Sequence, residues 1–292
     1  MKIPQLTFCR LFCRLVLFTF VIFSQIMPAA AQPLAKASEA AKTPAPVAGA
    51  WGYDEKNGPA NWCGLGSSYS ACCNGAMQTP VNITKEALEF VMLPKLNFEY
   101  VTDAELEVHH HGHTVEVKVI TGAALLTLGK KSFRLMQFHF HTQSEHTVLG
   151  HALPMEMHLV HQADDGALVF AGVLIAKGQK HEELDKVWQS LPQQSGESIA
   201  VMHFDLSKLL PGRRETFRYN GSLETPPCTE GMTWNLFAQP LQLSEEQIQA
   251  FTTLFSGADF PKGNRRPVQP LKGRKIMTDL DKTALSKTLL LE

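Results

Sequence analysis

The chain has 292 residues and a formal net charge of −1 at pH 7. This near-neutral balance supplies no strong electrostatic field, so it argues against binding to nucleic acid or to an anionic membrane surface. A hydrophobic fraction of 44% is ordinary for a globular protein and is ample for one large core.

The N-terminus has the features of a signal peptide, which we predict to span residues 1–31. Basic residues precede an apolar run at 15–23 that is too short to cross a bilayer. Small residues at 29–31 then offer a cleavage site. An uncleaved signal anchor is the alternative. Cleavage leaves no membrane segment and places the mature chain in the periplasm or outside the cell.

Three further segments follow. Residues 32–50 are rich in Ala, Pro and Lys, which is typical of a flexible spacer. The folded part is expected at 51–275, a length that suits one large β-rich domain. Residues 276–292 are expected to form a C-terminal tail.

Short alternating segments dominate the folded part and predict strands. Two helices are predicted at 182–191 and 244–255, and in the second Ser244 and Gln247 have the spacing of a capping box. Many strands with few helices indicate a largely antiparallel sheet architecture. The predicted strands lie at 106–119 and 123–128, which are expected to pair with each other, and at 133–141, 155–161 and 168–176.

Two of these strands carry three histidines in a pattern that indicates a metal site. His139 and His141 are two residues apart on one strand, so their side chains share a face. An antiparallel neighbour can bring His158 against them. Three neutral imidazoles and one open tetrahedral position are what a catalytic zinc site needs. Ordinary core or surface histidines are the alternative.

The cysteines agree with export. After removal of the signal peptide the chain keeps Cys63, Cys72, Cys73 and Cys228, and an even count in an exported chain suggests disulfides. Three connectivities are open, although adjacent cysteines rarely bond to each other. A zinc site made from these cysteines is the weaker alternative, because their spacing matches no finger pattern.

Together with the histidines, a series of short motifs resembles the alpha-class carbonic anhydrases of the exported bacterial type. The resemblance covers roughly residues 51–275, and the motifs occur in the order and near the spacings of that family. The matching segments are 51–53, 57–59, 77–83, 112–113, 137–141, 144–147, 156–160, 221–223, 225–228, 233–234 and 266–271.

The resemblance implies a mainly β single domain with a large twisted, mostly antiparallel sheet and a few peripheral helices. It also implies zinc at the base of a conical cleft, held by His139, His141 and His158. Gln137 and Glu156 share a strand face with a ligand and are expected to orient its second ring nitrogen.

The reaction implied by the resemblance is the reversible hydration of CO2 to bicarbonate and a proton, by attack of zinc hydroxide. His113 occupies the position of the family's proton shuttle, and a free imidazole is suited to that task. Glu145 matches a buried glutamate that accepts a hydrogen bond from a gatekeeper threonine. Thr225 matches the threonine that helps to hold bicarbonate.

The resemblance also implies an apolar wall where CO2 rests. The residues that match this wall are Val160, Leu223, Met232 and Trp234. Cys72 and Cys228 match the disulfide of exported bacterial members, which leaves Cys63 and Cys73 for a second bridge.

The histidines next to His113 are less easily interpreted. His109 and His111 are expected to share its strand face, and the family commonly has Asn where His111 stands. The cluster, including His110, can add relay or buffering capacity, or it can be a solvated polar strand or an incidental metal-binding patch.

Two residues depart from the family pattern. Glu224 stands where the hydroxide-orienting threonine is expected, and an ionised carboxylate cannot donate a hydrogen bond. Glu224 is expected to lie close to Glu145, so one of these two acids is expected to have a raised pKa. Glu224 can also ligate zinc and close the site. Phe170 stands where the resemblance implies a smaller residue that lines the CO2 pocket. For both Glu224 and Phe170, the alternative is a shifted loop that keeps the side chain out of the site.

We therefore expect an exported carbonic anhydrase with Zn2+ as cofactor and with CO2 and bicarbonate as its small-molecule partners. The alternative is a catalytically weak or inactive zinc-binding relative in which Glu224 closes the fourth zinc position. A homodimer is left open.

Overall fold

The computed structural model describes residues 50–282. The predicted signal peptide at 1–31, all but the last residue of the spacer at 32–50, and the end of the tail lie outside the described residues. Within 50–282, no helix is long and apolar enough to cross a membrane.

Strands make up most of the regular structure. In the part of the chain that the structure describes, three α-helices and four short 3-10 helices accompany them: α1 (Ala71–Asn74), α2 (Glu182–Trp188) and α3 (Glu245–Leu254), and the 3-10 helices Trp62–Gly64, Ser67–Tyr69, Lys85–Ala87 and Leu206–Leu209. The strands are β1 (Asn82–Ile83), β2 (Leu88–Phe90), β3 (Leu96–Tyr100), β4 (Ala104–His110), β5 (Val115–Thr121), β6 (Ala124–Leu128), β7 (Lys131–Thr142), β8 (Thr147–Val148), β9 (Met155–Gln162), β10 (Leu168–Lys177), β11 (Ser198–Phe204), β12 (Thr216–Ser222), β13 (Glu230–Leu243) and β14 (Ile276–Thr278).

In the described part of the chain, twelve strands form one large sheet. Its order is β11-β4-β5-β7-β9-β10-β13-β12-β14-β2, while β6 pairs with both β3 and β7. Only β10 with β13 and β14 with β2 run parallel within this sheet. The mainly β, mostly antiparallel fold class is therefore confirmed. A separate parallel pair joins β1 to β8.

The prediction for the first two strands was wrong in its pairing. Residues 106–119 do not form one strand, because the chain reverses between β4 and β5 at Gly112, where φ is +85°. A side chain rarely tolerates this backbone conformation, whereas glycine adopts it readily. The segment predicted at 123–128 is β6, and it pairs with β3 and β7 rather than with the hairpin.

Strand β7 lies beside β9, and β9 lies beside β10, at the centre of the sheet. One face of β7 and β9 presents Phe138, Phe140, Met157 and Leu159 to the largest apolar cluster, which also includes side chains from α2 and α3. Because strand side chains alternate, the intervening residues must point to the opposite face. The site described below is built on that opposite face.

The two predicted helices are present, although α2 ends earlier than expected. In α3 the Ser244 side chain accepts a hydrogen bond from the Gln247 backbone, and the Gln247 side chain accepts one from the Ser244 backbone. The predicted capping box is therefore confirmed.

The sheet continues past the expected end of the domain at residue 275. Strand β14 pairs with β12 and β2, and Ile276 is fully buried. The first residues of the segment expected as a tail therefore belong to the core.

Two disulfides are present within residues 50–282. Cys72 bonds to Cys228, which are 156 residues apart, and Cys63 bonds to Cys73, which are 10 residues apart. Both expected bridges are confirmed. Structural disulfides persist in oxidising compartments, so this part of the chain is suited to folding outside the cytoplasm.

Removal of the long-range bridge is expected to destabilise the domain more than removal of the short one. Loop-closure entropy predicts losses of about 5 kcal/mol for Cys72→Ala/Cys228→Ala and about 3 kcal/mol for Cys63→Ala/Cys73→Ala. Urea unfolding of the oxidised parent and of the two double variants measures both losses. Equal losses would show that native-state strain, rather than loop length, sets the contribution of each bridge.

Candidate metal centre

Three imidazoles meet on the face of the β7–β9 pair that is opposite the largest apolar cluster. The register of the two strands places His139 directly opposite His158, and His141 lies two residues further along the same face. The ring centroids are 5.1 Å apart for His139 and His158 and 4.6 Å apart for His141 and His158. All three side chains are buried.

In each ring, one nitrogen is held by a second residue. His139 Nδ1 donates to Gln137 Oε1 at 2.9 Å, and His158 Nε2 donates to Glu156 Oε1 at 2.8 Å. His141 Nδ1 donates to the backbone carbonyl of Asn264 at 2.7 Å. Such partners set the tautomer and the orientation of a ligand ring.

The other three nitrogens face one another: Nε2 of His139, Nε2 of His141 and Nδ1 of His158. His141 Nε2 is buried and has no hydrogen-bond partner within residues 50–282. A buried acceptor without a partner is costly, unless a cation or another donor completes it. The ligand atoms of the three histidines and Glu224 all lie within 4.8 Å of one another. Neutral imidazoles and a carboxylate are ligands that zinc prefers, so the donor set fits this metal.

Glu224 lies at the centre of this group. Its Oε1 is 2.9 Å from His139 Nε2 and 3.3 Å from His158 Nδ1. Burial raises the pKa of this carboxyl, but the hydrogen bonds from the two histidines outweigh burial and hold the pKa well below its usual range. The carboxylate is therefore anionic and occupies the side of the metal centre that faces the cleft.

Glu145 is the second buried acid of the site. Its Oε1 accepts a hydrogen bond from the Arg266 backbone at 2.7 Å, while its Oε2 has no partner among the described residues. Burial raises the pKa of Glu145 well above its usual range, and the charge of Glu224 adds to the shift. This agrees with the expectation that one acid of the pair has a raised pKa.

A cleft of about 310 Å³ opens beside the three histidines, and His139, His141 and Glu224 are among its lining residues. Its apolar side consists of Val160, Leu168, Phe170 and Leu223, and Thr225 lies beside Glu224 on its wall. Phe170 is almost fully buried, and its ring stacks on Trp234 with the centroids 4.6 Å apart.

Two residues expected on the apolar wall lie behind it. Trp234 is fully buried, packs edge-on against His158, and donates to the Ser222 carbonyl at 2.9 Å. Met232 is partly buried in the same apolar cluster. Neither is among the residues that line the cleft, and Trp234 supports the wall by stacking on Phe170.

Histidines line the mouth of the cleft as well. His111 and His113 are lining residues, and the ring of His113 lies 4.3 Å from that of Trp51. Partial burial and the neighbouring His111 and His139 lower the pKa of His113 to about 4.

Comparison with known proteins agrees with this geometry. Residues 57–280 match the family model described as eukaryotic-type carbonic anhydrase. A carbonic anhydrase of Klebsiella pneumoniae is 37% identical over 229 residues, which cover 78% of this chain and 90% of the relative. The chain belongs to the eukaryotic-type, or alpha, carbonic anhydrase family.

Solved structures of the alpha carbonic anhydrase fold show the same relationship. The enzyme from Thermovibrio ammonificans, solved with the inhibitor sulfanilamide, is 38% identical, with a TM-score of 0.72 over 78% of this chain and 99% of that one. Dioscorin, solved with ascorbate, has the same TM-score at 25% identity and 97% coverage of its own chain. The chain is thus a member of the carbonic anhydrase family, and it holds a His/Glu cluster that is compatible with zinc binding.

Several residues that shape this carbonic anhydrase site were not assigned a role from the sequence. Tyr53 and Thr114 line the cleft, and the Asn264 carbonyl orients His141. His146 Nδ1 donates to Glu156 Oε1 at 2.6 Å, next to the bond from His158. Alternation within a strand indicated Gln137 and Glu156, but no local pattern could indicate a carbonyl that lies 123 residues from its partner.

Zinc affinity is expected to rise with pH. Burial lowers the pKa of His158, but the carboxylates of Glu156 and Glu224 outweigh burial and raise it to about 10 in the metal-free protein. Zinc must then displace a proton that is held at neutral pH, so binding becomes tighter as the pH rises toward 10. Calorimetry in buffers of different ionisation enthalpy counts the released protons.

The same titration tests the ligands. His141→Gln is expected to abolish binding of one zinc ion per chain, and Glu156→Gln is expected to weaken it by about 10–100-fold. His203→Gln is the matched control, because His203 is 81% exposed and pairs with Asp103 away from the site. Unchanged affinity in His141→Gln would place the metal elsewhere.

Proposed function

We propose that this protein is an exported zinc carbonic anhydrase that interconverts CO2 and bicarbonate, with turnover limited by two of its own side chains. The observation that carries the proposal is the convergence of three buried histidine nitrogens beside a cleft that His139 and His141 line. Each ring is already oriented by Gln137, Glu156 or the Asn264 carbonyl.

Bound zinc supplies the Lewis acidity that makes water a nucleophile near neutral pH. The chain supplies the rest of the site. The hydrogen bonds to the outer nitrogens of His139, His141 and His158 orient the rings, so that the inner nitrogens point toward one position once their protons have been displaced. This preorganisation avoids the cost of reorienting ligand dipoles during the reaction.

The cleft walls suit the two sides of the reaction. Val160 and Leu223 offer an apolar surface to CO2, which has no charge and no hydrogen-bond donor. Thr225 also lines the cleft and offers a hydroxyl that can donate to an oxygen of bicarbonate. Apolar walls with few polar groups are typical of small-molecule sites.

Glu224 weakens this arrangement. A threonine hydroxyl can accept one hydrogen bond while it donates another to a glutamate, whereas an ionised carboxylate only accepts. Its negative charge also opposes the gathering of a second anion at the base of the cleft, which disfavours both deprotonation of water and retention of bicarbonate.

The second candidate function is a zinc-binding protein without turnover. The observation in its favour is that Glu224 Oε1 lies within 3.3 Å of two ligand nitrogens, where a fourth metal ligand is expected. Three histidines and a carboxylate complete a tetrahedral set, which leaves zinc without an open position.

Glu224→Thr separates the two candidates. For the enzyme we expect measurable CO2 hydration in the zinc-loaded parent and an increase of at least about tenfold in the variant, equal to about 1.4 kcal/mol of transition-state stabilisation. Stopped-flow indicator assays measure both rates. Glu224→Gln is the matched control, because it removes the charge without supplying the hydroxyl.

Near-zero activity in the parent that Glu224→Thr restores would contradict the enzyme and support the closed site. A Glu224 carboxylate to zinc distance of about 2.0–2.2 Å in a crystal structure means ligation and supports the same conclusion. High activity in the parent would contradict the closed site.

Phe170 is expected to restrict the space for CO2. Its buried ring lies on the apolar side of the cleft, in contact with Trp234. In the Glu224→Thr background, Phe170→Val should raise kcat/KM for CO2 severalfold, while the cavity left behind should cost about 1–3 kcal/mol of stability. Leu168→Val, on the same side of the cleft, is the matched control. A fall in kcat/KM would show that the ring positions the substrate.

The proposed location is the periplasm or the exterior of the cell. Its support is the pair of disulfides together with the signal-like composition of residues 1–31.

A further inference from the structure

Hydration of CO2 produces one proton for each bicarbonate, and that proton must leave the cleft. The turn between β4 and β5 brings three histidines together at the mouth. The rings of His109 and His111 stack with centroids 4.2 Å apart and an angle of 8° between their planes. The rings of His111 and His113 are 6.3 Å apart and tilted by 28°.

These rings form a row that starts in the cleft and ends outside it. His111 and His113 line the cleft, whereas His109 does not. The backbone holds the row in place: His110 Nδ1 accepts a hydrogen bond from the Gly112 backbone at 2.9 Å, and the His110 ring packs on Phe255. The turn that presents the histidines is therefore anchored in the core.

His113 is poorly placed to exchange protons with solvent. Its ring lies against Trp51, and Asn264 donates to its backbone carbonyl at 3.3 Å. The charged and titratable groups near it are His111, His139 and Glu116, and burial is the largest influence on its pKa of about 4. Near neutral pH this imidazole stays unprotonated.

His111 has the opposite surroundings. Its side chain is 33% exposed, and its Nε2 lies 3.4 Å from Glu116 Oε1. Glu116 is on β5, lines the cleft, and is also 3.7 Å from Lys118 Nζ. On β4, the next acid along is Glu107, which lies 3.8 Å from His109 Nδ1. His111 thus has one side in the cleft, one side in solvent, and a carboxylate that orients its ring.

We propose that His111, oriented by Glu116, is the residue that carries protons between the cleft and solvent, with His109 as the next ring on the way out. This assignment rests on the proposed carbonic anhydrase function. It differs from the expectation that placed the shuttle at His113.

In each cycle His111 takes up one proton and releases one proton. His111 accepts one proton on a ring nitrogen from water in the cleft and becomes an imidazolium. It then gives one proton from either ring nitrogen to a buffer base in solvent, directly or through His109, and returns to the neutral ring. Glu116 remains a carboxylate throughout and acts as a positioning residue.

Exchange of 18O between labelled CO2 and water tests the assignment, because it reports two rates in one experiment. The first rate is the interconversion of CO2 and bicarbonate. The second is the release of labelled water, which requires a proton to enter the cleft. In zinc-loaded His111→Asn we expect the second rate to fall by about tenfold or more, with the first unchanged.

Two further results are expected. Added imidazole should restore the release rate of His111→Asn, because a free base can replace the missing ring. Glu116→Gln should shift the pH profile of labelled-water release without changing the interconversion rate. His203→Asn is the control for loss of an exposed histidine, since His203 lies away from the cleft.

A measurement that does not depend on activity examines His113. The ring nitrogen resonances of His113 in 15N-labelled, zinc-loaded protein should not move between pH 6 and pH 8, given a pKa of about 4. Titration of His113 in that range, with labelled-water release lost in His113→Asn and kept in His111→Asn, overturns the assignment.

The two exchange rates distinguish a failure of the role of His111 from a failure of the proposed function. Intact interconversion with unaltered water release in His111→Asn overturns the role of His111 alone. If the parent does not interconvert CO2 and bicarbonate, the same variants are compared in the Glu224→Thr background, where the same pattern is expected. Absence of interconversion in both backgrounds overturns the proposed function and the role of His111 together.

Discussion

The antiparallel register of β7 and β9 is the constraint on which the site depends. It sets His139 against His158 and keeps His141, Gln137 and Glu156 on the same face. A slip of one residue would turn every ligand of one strand toward the apolar cluster. Phenylalanine and methionine side chains on the opposite face prevent that slip, because they would then be exposed in the cleft. The apolar cluster on one face of these two strands therefore secures the geometry of the polar site on the other face.

Glu156 shows how the fold tolerates charge at its centre. Its two oxygens accept hydrogen bonds from the rings of His146 and His158 and from the backbone of Glu145 and His146, at 2.6–2.9 Å. A buried carboxylate is stable only when its lone pairs are satisfied in this way. Glu145 and Glu224 are less complete, since each leaves one oxygen without a partner in the described part of the chain. Three buried polar atoms without a partner, on His141, Glu145 and Glu224, thus lie at the candidate metal centre, where function and stability compete.

Much of this could be predicted from the sequence, and the limits have physical reasons. Period-two alternation is local, so it revealed that His139 and Gln137 share a face, and the motif series revealed the family. The hairpin turn at Gly112 was not predicted, because apolar and polar residues alternate with the same period before and after the turn. The alternation therefore does not show where the chain reverses. The contact of His141 with the Asn264 carbonyl could not be found, because backbone carbonyls carry no sequence signal. The orientation of the Glu224 side chain toward the histidines depends on how its neighbours pack around one rotamer. The spacing of residues in the sequence does not reveal that packing.

The long-range disulfide connects the loop that carries Glu224 to the segment that holds Glu145. Cys228 follows Thr225 in the same loop, and its partner Cys72 presents its carbonyl to Arg266, whose backbone holds Glu145. The loop that carries Glu224 is thus tied down by a covalent bond that forms only under oxidising conditions. The β7–β9 pairing that sets the three histidines does not include this bond. The bridge therefore fixes the loop of Glu224 against the segment around Cys72 and Arg266 independently of the strands that carry the histidines.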